Sequence, residues 1–217
     1  MKKPLLPISL LWLSLTVQGF AEKVLLDIDL SKGHAGEGKV AGGEFVALGW
    51  TPKDVADNIL WELSQAIGVK AGRVILEMTN LNPNEQIKGM KSGKNQFFGL
   101  NERIRYQEGK LREIGTMIRL RMGYYKQFKV EATTHGKDRW DEKQIFPLTR
   151  PFDPSKTYVI EIIYNSRGFV VRFDGVESYR QPWPIEGLQS LQIGETYPGP
   201  CNAFPGPIYK RIRYIAE

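Results

Sequence analysis

Cysteine and histidine are nearly missing from this chain. Among its 217 residues stand one cysteine, Cys201, and two histidines, His34 and His135. A single thiol excludes an intramolecular disulfide, so stability must come from burial and sheet pairing. No histidine lies near Cys201 in sequence, which argues for an inert, half-buried loop thiol rather than a nucleophile. His34 and His135 lie far apart and have no ligand spacing, which speaks against zinc. Asp27 and Asp29, with glycines nearby, come nearest to a calcium loop. No dense Asp/Asn ladder surrounds them, so neither a metal nor any other cofactor is expected. Long apolar runs are scarce too. The longest, Pro4–Val17, falls short of the ~20 residues that a spanning helix needs. Internal repeats and low-complexity tracts are absent.

The first residues nevertheless carry a message. Met1-Lys2-Lys3 is a short basic segment, Pro4–Val17 is apolar, and Gly19-Phe20-Ala21 offers the small residues that a signal peptidase reads. Residues 1–21 are therefore expected to be a cleaved secretory signal, leaving 22–217 as one domain, secreted or periplasmic, with no stable membrane insertion after cleavage. No cysteine follows the cleavage point to carry a lipid. The formal charge of +6 includes Lys2 and Lys3. The remaining basic residues are spread along the chain, which does not make a nucleic-acid footprint, and no nucleic-acid partner is expected. Mild basicity does suit a polyanionic glycan.

Alternation of period two is what the chain has in abundance. In Tyr158–Tyr164 the residues Tyr158, Ile160, Ile162 and Tyr164 point one way, and Val159, Glu161 and Ile163 the other. Asn165-Ser166-Arg167-Gly168 is a turn, and Phe169–Phe173 alternates again. Asp174-Gly175 is the dipeptide that a two-residue type I′ turn requires, because both positions need φ > 0, and Val176–Arg180 runs back from it. Three consecutive antiparallel strands follow.

The same period marks Lys23–Leu30, Gly42–Leu48, Gly72–Thr79, Asn95–Leu100, Glu113–Met122, Tyr124–Ala132, Leu188–Gly194 and Pro207–Ile215. The glycine-rich stretch Ser31–Gly43 reads as a connector, Asn101–Leu111 as a charged, solvated hairpin end, and Thr133–Pro154 as a long polar loop holding Trp140 and Phe146. At Thr51–Gly68 two patterns compete. Thr51, Pro52 and Asp54 make a good helix start, and Val55, Ile59, Leu60, Leu63 and Ile67 recur at helical spacing. Ile59, Trp61 and Leu63 also alternate with Leu60 and Glu62, as a strand would. Turns this frequent argue for an all-β chain folded as one sandwich or jelly roll.

The order of parts near the C-terminus resembles the concanavalin A-like lectin and glucanase superfamily, with laminin G-like domains nearest in style. The resemblance is carried by a Tyr-x-Ile-Glu-Ile-x-Tyr strand, a hairpin through Phe173-Asp174-Gly175 and Leu191-Gln192-Ile193-Gly194. An aromatic and glycine-rich loop and the final Gly206-Pro207-Ile208-Tyr209-Lys210-Arg211-Ile212-Arg213 strand complete it. It covers roughly the last 60 residues well and is moderately specific for fold alone. It implies a two-sheet antiparallel β-sandwich in which the last strand returns beside the first, pairing Pro207–Ile215 with Lys23–Leu30. It also implies a strand at Gly42–Gly49 and another at Asn58–Leu63, against the helix signals.

Catalytic patterns of that superfamily are mostly missing. Glu77 and Glu161 each stand without a carboxylate partner at spacing two, whereas the glucanases place Glu-x-Asp-x-Glu along one strand. Tyr124-Tyr125-Lys126-Gln127 looks faintly like an alginate-lyase strand, but the accompanying Arg and His elements are not found, and no catalytic residue is assigned. The sharpest candidate surface for binding is Arg119 and Arg121 on one strand with Tyr125, Gln127 and Lys129 on the next, cations around an aromatic ring on one sheet face. Any solvent face of a sheet carries some Arg and Lys, which is the plainer reading. Trp140, Trp183, Tyr197 and Phe204 are loop aromatics. Trp140 serves equally as a platform for a sugar ring or as a plug, while Trp183 and Phe204 read as plugs. The expectation is a secreted, non-enzymatic carbohydrate-binding module whose partner is a glycan, an anionic polysaccharide fitting best. The alternatives are a polysaccharide-cleaving enzyme of the same fold, a lyase before a hydrolase, and an envelope or matrix domain that binds protein.

Overall fold

The computed structural model describes residues 22–54, 57–66, 68–79, 94–107, 110–123, 127–134, 139–144, 153, 155–185, 187–194 and 207–217. The leader expected at 1–21, and Tyr125, His135, Tyr197, Cys201 and Phe204, lie outside them.

Among the described residues, fifteen strands and two short 3-10 turns follow one another. The strands are β1 (Lys23–Asp29), β2 (Lys39–Ala41), β3 (Glu44–Val46), β4 (Gly49–Thr51), β5 (Asn58–Glu62), β6 (Gly72–Thr79), β7 (Lys94–Gln107) and β8 (Lys110–Gly123). After these come β9 (Gln127–Thr134), β10 (Arg139–Gln144), β11 (Tyr158–Asn165), β12 (Gly168–Phe173), β13 (Val176–Gln181), β14 (Ser190–Gly194) and β15 (Ile208–Ala216). The first sheet runs β13-β12-β11-β6-β15-β4-β3, with β1 also paired to β15. The second runs β10-β9-β8-β7-β14-β5-β2. All the described pairings are antiparallel, and the two sheets form a sandwich as the period-two reading expected.

Alternation is converted directly into burial. On β11 the residues Tyr158, Ile160, Ile162 and Tyr164 are buried, and Val159, Glu161 and Ile163 are not. Val74, Leu76 and Met78 on β6 and Ile212 and Tyr214 on β15 join them from the first sheet. Ile59, Trp61, Ile118, Leu191 and Ile193 supply the core side of the second. Each large apolar side chain hidden in this way contributes about 1.5–3 kcal/mol. The Tyr164 and Tyr214 hydroxyls hydrogen-bond to each other inside the core. Burial is the main cause that pushes both phenols above their ordinary range.

The last strand does return beside the first. Lys23 lies opposite Ala216 and Asp29 opposite Arg211. Asp174 and Gly175 adopt φ of 49° and 78°, as the type I′ turn demands. The Asp174 carboxylate also accepts from the Val159 amide at 2.9 Å, which ties the turn to β11.

The conflict at Thr51–Gly68 is resolved for the strand that the resemblance implies: Asn58–Glu62 is β5, which sits between β14 and β2 and buries Ile59 and Trp61. Just beyond it, Ser64–Ala66 forms a 3-10 turn. Two other expectations are corrected. Gly42–Gly49 is not one strand: β3 and β4 form a hairpin, with Phe45 opposite Trp50. The connector Ser31–Gly43 contains β2, and its segment near Ala35 is held by the Trp61 indole, which donates to the Ala35 carbonyl at 2.9 Å. The charged segment Asn101–Leu111 does lie at the end of a hairpin, and the strands β7 and β8 pair as far as Gln107 opposite Lys110.

Gly49 shows how tightly β4 meets β15. Its φ is +148°, and a Cβ there would stand 1.9 Å from the Tyr209 carbonyl oxygen. Gly33 has φ +77° but open space around it. Gly33→Ala should therefore cost only the left-handed backbone penalty of about 1–2 kcal/mol. Gly49→Ala should cost clearly more, roughly 3 kcal/mol or above, because the atom in the way is backbone of a central strand. Urea unfolding of the two variants measures the difference.

Candidate functional site

Backbone register places the sequence-predicted residues. On β8 and β9, Arg119 is opposite Glu131, Arg121 opposite Lys129, and Gly123 opposite Gln127. On β9 and β10, Lys129 is opposite Gln144 and Trp140 opposite Thr133. Directly opposed residues of an antiparallel pair share a face, and residues two apart along a strand share it as well. Positions 119, 121, 127, 129 and 140 therefore lie on a single face of the second sheet. Ile118 alternates with Arg119 and is fully buried, so this is the face turned away from the core.

Trp140 is thus corrected from loop to strand. Its strand, β10, is made of Arg139-Trp140-Asp141-Glu142-Lys143-Gln144, which is polar on both faces and gives no apolar alternation to read.

The face continues across the sheet. Arg119 is opposite Gly99 on β7, Gly99 opposite Gln192 on β14, Gln192 opposite Leu60 on β5, and Leu60 opposite Lys39 on β2. Glu62 shares this face, and its carboxylate receives the Lys39 ammonium at 2.7 Å. Lys94, opposite Gly123, and Gln96, opposite Arg121, extend the face along β7. None of Lys39, Lys94 or Gln192 stood out in the sequence, since each belongs to a separate short segment and only the strand order brings them into one layer.

The outward face of the first sheet has a different electrostatic character. The Arg211 guanidinium clamps the Asp27 carboxylate through two hydrogen bonds of 2.7 Å. Arg213 reaches Glu77 at 3.3 Å. Glu161 lies between Arg172 at 3.6 Å and Arg73 at 3.9 Å, and Arg73 also meets Glu22 at 2.7 Å. Cations and carboxylates interleave there, and the two acids considered for catalysis, Glu77 and Glu161, are each engaged by arginine. Trp183, on the loop after β13, is buried and packs edge-on to Phe169 at 6.5 Å between centroids. Among the described residues, no group of three or more His, Cys, Asp or Glu is placed to hold a metal ion.

No protein-family model and no curated protein sequence matches this chain. Solved structures do. A Trypanosoma rangeli sialidase in complex with 2,3-difluorosialic acid aligns at a TM-score of 0.54 and 12% identity over 82% of this chain, which spans only 27% of the sialidase. Domain 4 of AbnA, a GH43 extracellular arabinanase from Geobacillus stearothermophilus, in complex with arabinotriose, aligns at a TM-score of 0.54 and 11% identity. That alignment covers 90% of this chain and 93% of that one. The exoplasmic/lumenal domain of VIP36, in its Ca2+/Man3GlcNAc-bound form, aligns at a TM-score of 0.53 and 9% identity over 90% of this chain and 91% of its own. At such identities the likeness establishes a common β-sandwich architecture.

The Asp27 clamp carries a pH dependence. Hydrogen bonding from Arg211 is the largest cause that holds the Asp27 carboxyl below its ordinary range. A depressed folded-state pKa stabilises above the unfolded value of about 3.9 and is lost as the pH falls through the folded value. Both partners are more than a third exposed, at 41% and 37%, so solvent screening limits the pair. Asp27→Asn should lower stability at pH 7 by about 0.5–1 kcal/mol. The gap from wild type should close in acid, well below pH ~3.9. Thermal melts across that range read both the size and the sign.

Proposed function

We propose that the chain is a secreted, non-catalytic carbohydrate-binding module of the concanavalin A-like, laminin G-like kind, and that it takes an anionic polysaccharide on the outward face of its second sheet. The observation that carries this reading is the difference between the two outward faces. On the first sheet the arginines are matched by carboxylates. On the second, Arg119, Arg121 and Lys129 stand in adjoining register positions with Glu131 and, opposite it on β10, Glu142 as the near acids, and Lys94 adds a further cation along β7. Glu62, a further acid on that face, is already occupied by Lys39. A surplus of positive charge on a sheet surface attracts polyanions and, through the planar guanidinium fork, grips carboxylate or sulfate oxygens in pairs. Trp140 on the same face provides an aromatic plane of the kind on which sugar C–H faces stack. Tyr125, two residues before Gln127, belongs to the same proposed set.

The sandwich neighbours support the glycan class in general terms. Two of them, the arabinanase domain and VIP36, hold bound oligosaccharides, arabinotriose and Man3GlcNAc. The anionic character of the ligand rests on this chain's own residues. Export is part of the proposal and rests on the first 21 residues. A chain produced in a secreting host should begin at Glu22 by intact mass.

The decisive experiment is a glycan array that includes uronic-acid polymers, probed with the chain from Glu22 and with an Arg119→Ser/Arg121→Ser variant. Wild type should bind an acidic polymer, and the double variant should bind roughly ten- to hundredfold more weakly, since each charged hydrogen bond lost costs about 1.5–3 kcal/mol before screening. Absence of binding to every glycan removes the reading. Ultraviolet absorbance of an unsaturated product on any bound polymer would replace it with a lyase.

A further inference from the structure

The hairpin of β7 and β8 is longer than the sheet that contains it. Each strand has 14 residues. The pairing of β14 with β7 spans Phe98 to Asn101, and that of β9 with β8 spans Met117 to Gly123. Beyond these limits, Arg103–Gln107 and Lys110–Ile114 are paired in register with each other, and neither segment has another strand among the described pairings. The result is a two-stranded ribbon that runs on past the sheet for about 17 Å, five residues at ~3.4 Å each.

Register divides the ribbon's residues by face. Arg103 is opposite Ile114, Arg105 opposite Arg112, and Gln107 opposite Lys110. Ile104 is opposite Glu113 and Tyr106 opposite Leu111. All four basic residues of these pairs thus fall on one face, with no acid. The only acid falls on the other, among Ile104, Tyr106 and Leu111. Along β7 the positions 99, 101, 103, 105 and 107 share a face, and Gly99 is opposite Arg119. The basic face of the ribbon is therefore the continuation of the face that carries Arg119 and Arg121. The register shift between Asn101 and Arg103 leaves the alternation of β7 unbroken, because the extra residue stands on β8 and not on β7; a bulge there bends and twists the ribbon without changing which residues share its face.

Unpaired edges need lysine and arginine to prevent strand addition, and that need explains why the ribbon is charged. It does not explain why the charge is on one face, since either face protects an edge equally well. Cations repeated at every second residue recur about 7 Å apart along a strand and about 5 Å apart across the pair. A small anion would occupy one such position, whereas a polymer with an acid on each unit would neutralise the whole row and release counterions along it.

From this placement we infer that the ribbon is the outer part of one continuous track for a polyanionic chain, so the ligand is a polymer with closely repeated carboxylates or sulfates, bound along its length. This rests on the proposed function above and specifies its ligand. The experiment is calorimetric titration of the chain from Glu22 with oligouronates of defined length, a tetramer and a dodecamer, at low and at physiological salt. Three proteins are compared: wild type, Arg103→Ser/Arg105→Ser/Arg112→Ser, and Arg103→Lys/Arg105→Lys/Arg112→Lys. Wild type should bind the dodecamer at least tenfold more tightly than the tetramer, with a steeper salt dependence. The serine variant should bind the tetramer as wild type does and lose the gain with length, and the lysine variant should keep most of it. A serine variant that retains the full gain overturns the ribbon's role while leaving the sheet face in place. Failure of wild type to bind either oligomer overturns the underlying reading itself. Should the serine variant fold poorly by circular dichroism, Lys110→Ser/Arg112→Ser on one strand alone makes the same comparison.

Discussion

The architecture depends on where β15 lies. It is hydrogen-bonded to β6 on one side and to β1 and β4 on the other, so a single strand joins both ends of the described chain to the middle of the first sheet. Its buried residues, Tyr209, Ile212 and Tyr214, meet the core from that position. Because a strand's side chains alternate, a slip of one residue between β15 and β6 would turn Ile212 and Tyr214 to solvent and Arg211 and Arg213 to the core. The pairing of Arg213 with Glu77 of β6 and the Tyr164–Tyr214 hydroxyl pair both act against that slip, one from the water side and one from within. Register is thereby overdetermined, and the inner and outer faces are assigned without ambiguity.

That assignment is what gives the second sheet its distinctive surface. Once Ile118, Leu191 and Trp61 face inward, the intervening positions are committed to the opposite side. The positions so committed include arginines and lysines of four strands, drawn from parts of the chain as distant as Lys39 and Lys129. Neighbouring like charges raise the energy of the folded state unless a counter-ion or ligand sits among them. The first sheet meets the same difficulty by interleaving carboxylates. On the second, register gives five cations, Lys39, Lys94, Arg119, Arg121 and Lys129, against three acids, Glu62, Glu131 and Glu142, and the binding proposals rest on that surplus.

The sandwich itself was legible in the chain, and the reasons are local. Tyr158–Tyr164 and Phe169–Phe173 announce their two faces because inward and outward residues alternate along each strand, and Asp174-Gly175 specifies its own turn. Leu76 and its neighbours on β6 do likewise. The pairing of first strand with last was reached by family resemblance rather than by any local signal. Three other features were hidden for physical reasons. β5 carries apolar residues at spacings that satisfy either a helix or a strand, and only its neighbours β14 and β2 decide between them. β10 is too polar to show alternation, so Trp140 was read as loop. The ribbon of β7 and β8 was read as a solvated end because it is rich in charge, although the basic residues of Arg103-Ile104-Arg105 and Lys110-Leu111-Arg112 already alternate. Of the candidate surface, register brings positions 119, 121, 127, 129 and 140 to one face, and Tyr125 lies outside the described residues.

The position of the closing strand also sets a schedule for the growing polypeptide. Asp27 and its clamp Arg211 are 184 residues apart along the chain. At ribosomal speeds of about 5–20 residues per second, β1 waits roughly ten to forty seconds for its neighbour to be made. Throughout that interval both flanks of the vacant slot, β1 and β6, expose unmet amide and carbonyl groups. The first sheet can close only after translation has passed β15, so the nascent chain must be kept from premature pairing until its final strand arrives.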